Sequence, residues 1–345
     1  MSILLSVIIP TLNPLNQLQD LLRAILDQDA SSAEREIILV DNKTCPDQES
    51  FLKLASFLGA TDNLRYFHEP VPGLHAGRHR GLHESSGEIL TFIDDDIMPA
   101  PGWLDAIANT FNDPNVHLVG GPSLPLYEQA PPEWMEAFWT RTSDGKRSCG
   151  YLSLIDYGDK ECEIEPTLVW GLNYSIRKKT LTDLGGFHPD GMPWKLRRYR
   201  GDGETAPSVE ARRRGLKALY QPRACVYHKI PANRITVEYF ERRAFLQGIS
   251  DSFVELRQPP VNKSSDDKRN EIDWLLPLRI LKTEFKKIFV PTSHDIFRDV
   301  KVRISQSYEA GMSFHQREVQ NDPVLLEWVL RKNYLGENGR LPALR

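Results

Sequence analysis

Three groups of side chains in this sequence of 345 residues have the types and spacing to do chemistry. The first is Asp94-Asp95-Asp96, directly behind the apolar run Ile89-Leu90-Thr91-Phe92-Ile93. Adjacent carboxylates repel, so a neutralising cation is the simplest reason to tolerate them, and oxygen donors favour Mg²⁺ or Mn²⁺. A solvated turn ahead of Pro99 and Pro101 is the competing reading. The second group is Arg200-Gly201-Asp202-Gly203-Glu204-Thr205, two carboxylates on a glycine-loosened loop before a helix. Such a loop can carry a general base to a substrate hydroxyl. The third is His228, behind the run ending Val226-Tyr227, where an imidazole could join the aspartates as a metal ligand. Thr11 and Asn13, then Asp41 and Asn42, also follow apolar runs. Singly, each reads equally well as an exposed turn, a helix cap or a satisfied histidine; together they suggest one edge.

The elements that must position these groups alternate along the first half. Ser6-Val7-Ile8-Ile9, 36–40, 64–67, 89–93 and 116–119 read as short strands. Between them lie amphipathic stretches: Asn13 as cap and Pro14 as first residue of a helix carrying Leu18, Leu21, Leu22 and Ile25, then a helix with Phe51, Leu54, Ala55 and Leu58. A further helix starts near Gly73, and Pro101 opens one with Trp103, Leu104, Ile107 and Phe111. The fold class expected is α/β, a doubly wound, mainly parallel sheet. In such sheets ligands bind outside the carboxyl ends of the strands, where these polar residues fall. The pattern dissolves over about 122–166, read as an insertion over the ligand edge. It returns with a strand over 168–176, a helix over 178–184 stopped by Gly185-Gly186, a helix near 208–214 and one strand over 218–226. Residues 1–257 are expected to form the catalytic domain, 258–270 a linker and 271–345 a helical tail.

Seven motifs occur in order with compatible spacing: Ser6-Val7-Ile8-Ile9-Pro10-Thr11-Leu12-Asn13, Val40-Asp41-Asn42, Gly73 with Ala76-Gly77-Arg78, Phe92-Ile93-Asp94-Asp95-Asp96, Trp170-Gly171-Leu172-Asn173, Gly185-Gly186-Phe187 and Val226-Tyr227-His228. Over about residues 3–250 the chain resembles the family 2 inverting glycosyltransferases of the GT-A fold. The resemblance implies a sugar moved from a nucleotide-diphosphate sugar donor to a hydroxyl of a glycan or lipid-linked acceptor in cell-surface polysaccharide or glycolipid synthesis. It implies that Pro10, Thr11 and Asn13 line the nucleotide pocket, that Asp41, with Asn42 beside it, meets the base, and that Arg78 sits near ribose or diphosphate. Asp94 and Asp96 would form the Asp-x-Asp element, with Asp94 and Asp95 also meeting the nucleotide sugar and with Asp94, Asp96 and His228 as ligands of Mn²⁺ or Mg²⁺, Asp96 and His228 foremost. Trp170 and Asn173 would border sugar and acceptor. Where many members carry Glu-Asp as base motif, this chain departs. Glu204, eleven residues before Gly215, takes the base position and Gly203 replaces the accompanying acid. Asp202 is then a hydroxyl ligand, with the reverse assignment open. Gly77 and His79 depart from the commoner Ala and Asn.

Composition narrows the alternatives. With 43 Lys and Arg against 47 Asp and Glu the formal net charge is -4, which argues against a nucleic-acid binder driven by global charge. The four cysteines, Cys45, Cys149, Cys162 and Cys225, contain no CxxC pair, and a reduced, cytoplasmic setting is expected. No basic region precedes the apolar start, and no apolar run reaches the ~18 residues of a spanning helix. The stretch 11–22 has no glycine, so the phosphate loops of nucleotidyltransferases and dinucleotide enzymes are missing. A non-catalytic nucleotide-sugar or glycan-binding subunit with the same fold is the alternative from another class, and turnover of donor discriminates. Tyr127, Trp134, Phe138, Trp139 and Trp194 read either as an acceptor platform or as packing residues. In 274–290, Trp274, Leu278, Leu281, Phe285 and Ile288 form a stripe beside Arg279, Lys282, Lys286 and Lys287, suited to peripheral membrane contact or to packing.

Overall fold

The computed structural model describes residues 3–28, 33–59, 63–189, 198, 201–257 and 294–336. In chain order its strands are β1 (Ile3–Thr11), β2 (Ala33–Asp41), β3 (Leu64–His68), β4 (Ile89–Ile93), β5 (Ile97–Pro99), β6 (Val116–Gly120), β7 (Ser123–Tyr127), β8 (Thr140–Arg141), β9 (Arg147–Cys149), β10 (Leu154–Asp156), β11 (Cys162–Ile164), β12 (Asn173–Arg177), β13 (Lys217–Tyr220) and β14 (Val226–Ile230). The helices are α1 (Gln19–Leu26), α2 (Gln48–Leu58), α3 (Leu74–Glu84), α4 (Trp103–Thr110), α5 (Lys178–Asp183), α6 (Thr205–Arg213), α7 (Val237–Arg257), α8 (His294–Asn321) and α9 (Pro323–Leu330).

A large sheet runs β11-β13-β6-β12-β4-β1-β2-β3. β1 is parallel to both β2 and β4, β2 to β3, and β6 to β13; β12 enters antiparallel between β4 and β6. All five residues of β4 are buried, as a central strand covered on both faces requires. One face packs on α1, α2 and α4 through Leu21, Leu22, Ile25, Phe51, Leu54, Trp103 and Ile107. The other packs on α3, α5 and α6 through Leu82, Leu181, Leu184, Phe187 and Ala211. Local chemistry sets the boundaries. The Asp47 carboxylate accepts the Ser50 N–H at the start of α2, and Gly59, at φ 64°, ends it.

A smaller sheet, β5-β14-β7-β10-β9-β8, covers the carboxyl edge. The expected insertion therefore contributes ordered strands, β7 to β11, rather than irregular chain. The single strand read over 218–226 is two: β13 ends at Tyr220 in the large sheet, and β14 starts at Val226 in the small one. Pro222 lies between them and cannot donate to a ladder, so the chain turns and changes sheet. The strand expected over 168–176 begins only at Asn173, after a short 3₁₀ turn over Pro166–Leu168. The described part of the tail packs on α7: Phe253 meets Val319, Leu325, Trp328 and Tyr334 in one buried cluster. The linker 258–270, the stripe 274–290 and Trp194 lie outside the described residues.

Candidate active site

Register brings the polar strand ends into line. Thr11 pairs with Asp41, Asp41 with His68, and Ile93, just before the aspartates, with Asn173. Asp95 accepts hydrogen bonds from Thr11 Oγ1 and, at 3.0 Å, from Asn13 Nδ2. Asn13 therefore does not cap a helix. The chain after Pro14 forms a 3₁₀ turn without a side-chain cap, because the neighbouring strand end offers the amide a carboxylate. Burial, outweighing Thr11, and the adjoining Asp96 and Asp94 push the Asp95 carboxyl up to about 6.

Asp41 is fully buried, and its carboxylate accepts from Tyr66 Oη at 2.7 Å and the Lys43 N–H at 3.1 Å. The Asn42 amide braces the following loop, donating to the carbonyls of Glu69 at 2.6 Å and Val71 at 2.7 Å. Pro10 is buried under α3, where a Cβ on Gly77 would stand 3.0 Å from its own Cβ. Asn173 is 4 % exposed: its Oδ1 accepts from Trp103 Nε1 and its Nδ2 donates to the Ala224 carbonyl. It locks the start of β12, its own N–H donating to the carbonyl of the half-buried Trp170 at 2.9 Å.

Arg78 ties the two acidic clusters together. Only 1 % exposed, it donates from Nη2 to Asp94 Oδ1 at 3.0 Å and to the Gly171 carbonyl at 2.7 Å, while Nη1 lies 3.5 Å from Glu204 Oε2. Glu204 Oε1 accepts the Gly171 N–H at 3.2 Å. The Glu204 side chain is 27 % exposed, and that of Asp202 only 4 %. Asp202 turns inward onto His188, itself covered by Arg257 and the Tyr334 ring. The turn between them is Gly203 at φ 62°, a left-handed conformation costly for other residues, which explains why glycine replaces the usual acid there. Both carboxylates line a cleft against α7 with Thr205, Arg243, Leu246, Gln247 and Ser250.

The third cluster forms where the small sheet meets the aspartates. His228 pairs with Ile97, and the Lys229 N–H donates to the Asp96 carbonyl at 2.9 Å, so register sets the Asp96 side chain beside the imidazole. His228 Nδ1 lies 2.9 Å from the Leu152 carbonyl, which can only accept. Nδ1 therefore carries the proton, and Nε2 presents its lone pair 3.5 Å from Asp96 Oδ2. Burial works to raise the Asp96 carboxyl, but the groups around it, the Arg234 guanidinium at 2.7 Å among them, outweigh burial and hold it below its ordinary range. Asp96 Oδ1 is buried without a hydrogen-bond partner. Those two features suit Asp96 and His228 to a divalent cation. Asp94 points instead to Arg78, and among the described residues no group of three or more His, Cys, Asp or Glu side chains converges as a metal centre.

Residues 6–182, about half of the chain, match the model of the Glycosyl transferase family 2. The chain belongs to that family. It is 24% identical over 248 residues to the glucosyl-dolichyl phosphate glucuronosyltransferase of Haloferax volcanii, a match covering 67% of this chain and 70% of that protein. It is 30% identical over 118 residues to the GalNAc(5)-diNAcBac-PP-undecaprenol beta-1,3-glucosyltransferase of Campylobacter jejuni, covering 34% of this chain and 37% of that one. A solved mannosyltransferase from Pyrobaculum calidifontis, in complex with GDP-Man and Mn²⁺, matches 93% of this chain and 75% of its own with a TM-score of 0.50 at 15% identity. That likeness shows the GT-A fold. This glycosyltransferase family member thus has the architecture its sequence resembles.

Several side chains at the site carry no sequence signal. Arg234, whose Nη1 lies 2.7 Å from Asp96 Oδ2, stands six residues past His228 in an unremarkable turn. His188 and Arg257, around Asp202, come from distant segments. Of the aromatics, Trp134 and Phe138 pack against Phe240 at ring separations of 5.0 and 5.3 Å and hold the inserted strands to α7. Tyr127 lines a second cleft with Asp96, Glu128, Lys229 and Arg234.

Proposed function

We propose that this protein is an inverting transferase that moves a sugar from a nucleotide-diphosphate sugar to a hydroxyl of a lipid-linked or glycan acceptor, with Glu204 as general base. The observation that carries this is the contrast between its two loop carboxylates. Glu204 is held by Gly171 and Arg78 yet open to the cleft, whereas Asp202 is buried against His188. Glu204 takes the acceptor proton as the hydroxyl oxygen bonds to the anomeric carbon from the face opposite the diphosphate, whose bond to that carbon breaks with its electron pair. One displacement inverts the centre. Asp202 positions the base loop, and Arg243, which has no ion-pair partner among the described residues, is the cation of the acceptor cleft. Thr11, Asn13 and Asp95 bound the nucleotide side. Asp96 and His228 would hold Mn²⁺ or Mg²⁺, which when bound neutralises the leaving diphosphate as a Lewis acid. Imidazole favours Mn²⁺ of the two.

The dolichyl and undecaprenol names of the relatives support a lipid-linked acceptor and action beside a membrane. Among the described residues no helix is long and apolar enough to cross one, and the proposed surface contact through 274–290 lies outside them. The test is a panel of nucleotide sugars with Mn²⁺ and polyprenyl-phosphate-linked saccharides, read by nucleotide release and product mass. Glu204→Gln should lower kcat by roughly 10² to 10⁴ with donor affinity nearly unchanged. A variant that keeps its rate, while Asp202→Asn loses it, reverses the assignment of the base.

A further inference from the structure

We propose that Arg234 is the resident cation of the Asp96–His228 pair, and that a divalent metal binds there only by displacing it. This rests on the metal reading above. The contacts make the two cations mutually exclusive. Arg234 Nη1 lies 2.7 Å from Asp96 Oδ2 and 3.0 Å from His228 Nε2. With its other nitrogen donating to Leu152, the imidazole has one lone pair, which accepts the guanidinium hydrogen or coordinates a metal but not both. A guanidinium cannot be deprotonated to make way, so it has to move.

The surroundings permit that movement without a change of fold. Arg234 ends a one-turn 3₁₀ helix, Ala232–Arg234, whose backbone is fixed by the Arg234 N–H donating to the Pro231 carbonyl at 2.9 Å and the Ala232 N–H donating to Glu128 Oε2 at 2.8 Å. The long side chain is 31 % exposed and borders the open cleft lined by Leu126, Tyr127 and Glu128. Rotation about its own bonds therefore suffices. Nor does the arginine saturate the site, since Asp96 Oδ1 stays buried and unpaired. A diphosphate arriving with the metal offers the displaced guanidinium a bidentate partner. Metal binding alone is accordingly weak, because it must break a charge-assisted contact that the donor complex replaces.

The experiment is a Mn²⁺ titration of the full chain without nucleotide, with free Mn²⁺ counted by electron paramagnetic resonance. Arg234→Ala and Arg234→Gln should each bind Mn²⁺ about tenfold tighter or more, the factor one lost charge-assisted hydrogen bond represents. The glutamine variant keeps a long side chain should truncation loosen the turn, and thermal melting checks that each protein is folded. Lys229→Ala removes a cation from the same cleft whose contact with Asp96 runs through the backbone alone, and should change affinity little. Equal or weaker binding by both arginine variants, or equal tightening by Lys229→Ala, overturns the proposal while the metal reading stands. Tight binding that survives Asp96→Ala in the Arg234→Ala background places the ion elsewhere and also overturns it. No Mn²⁺ bound by any of the proteins overturns both.

Discussion

A methyl group on Gly171 would stand 2.7 Å from both terminal nitrogens of Arg78 and 2.8 Å from Glu204 Oε1. The residue is glycine because Glu204 and Arg78 converge on its backbone, its N–H serving one and its carbonyl the other. Gly171→Ala should therefore push Glu204 and Arg78 off their contacts. The expected outcome is a loss of kcat of roughly 10²-fold, the scale of misplacing a catalytic group by about an ångström, with little change in melting temperature. Steady-state kinetics and a thermal melt check it. An unchanged kcat would show that the Glu204–Gly171 contact does not position the base.

Helix α7 forms one wall of the cleft at Asp202 and Glu204 and is held by α8 at unusually short range. A Cβ on Gly248 would meet the Tyr308 carbonyl oxygen at 2.1 Å, and one on Gly311 the Phe245 carbonyl oxygen at 2.0 Å. Glycine inside a helix costs about 1 kcal/mol relative to alanine, so its value here lies in letting the two backbones touch. Gly248→Val should force them apart and destabilise the protein by about 1–3 kcal/mol, the usual range for overpacking. Because Gln247 and Ser250 flank Gly248 and line the cleft, acceptor KM should rise as well. Urea unfolding gives the first quantity and acceptor titration the second.

Across the molecule the same helix pair carries a pH-dependent cost. Asp251 is 2 % exposed, accepts from Tyr308 Oη at 2.7 Å and from Gln247 Nε2 at 2.7 Å, and is pushed up to about 6 by burial, with Glu255 and Asp202 adding to the rise. Its folded value lies above the ordinary 3.8, so the folded state holds the proton more tightly than the unfolded chain. The stability it contributes is full below about pH 4, falls as pH rises toward 6, and stays lost above. Asp251→Asn removes the charge and keeps an acceptor for Tyr308. Its stability relative to the parent should increase between pH 4 and 6 and level off above, by up to about 3 kcal/mol for two pKa units. Denaturant titrations in EDTA across that range test it, and a difference independent of pH removes Asp251 from the account.

What the sequence determined by itself is what depends on near neighbours. The apolar runs of β1, β2 and β4, the capping of α2 by Asp47 and Gly59, the Gly185-Gly186 stop and the motif order that marks family 2 are all local patterns. So is the placing of Thr11, Asp41 and Asp94 at strand ends, since a parallel sheet lines up the carboxyl ends of its strands. The tertiary structure alone decided which partner each polar group takes. Asn13 looked like a cap and went to Asp95, because the competing carboxylate comes from a strand 82 residues away. Spacing to Gly215 put Glu204 ahead of Asp202 but left the reverse open; the left-handed Gly203 and the buried His188 turn Asp202 inward and leave Glu204 the more exposed of the two. Asp94 and Asp96 read as one ligand pair, yet Arg78 takes the first while His228 and Arg234 take the second. A charged side chain is satisfied by whatever stands within a few ångströms, and for these residues that neighbour arrives through the fold rather than along the chain.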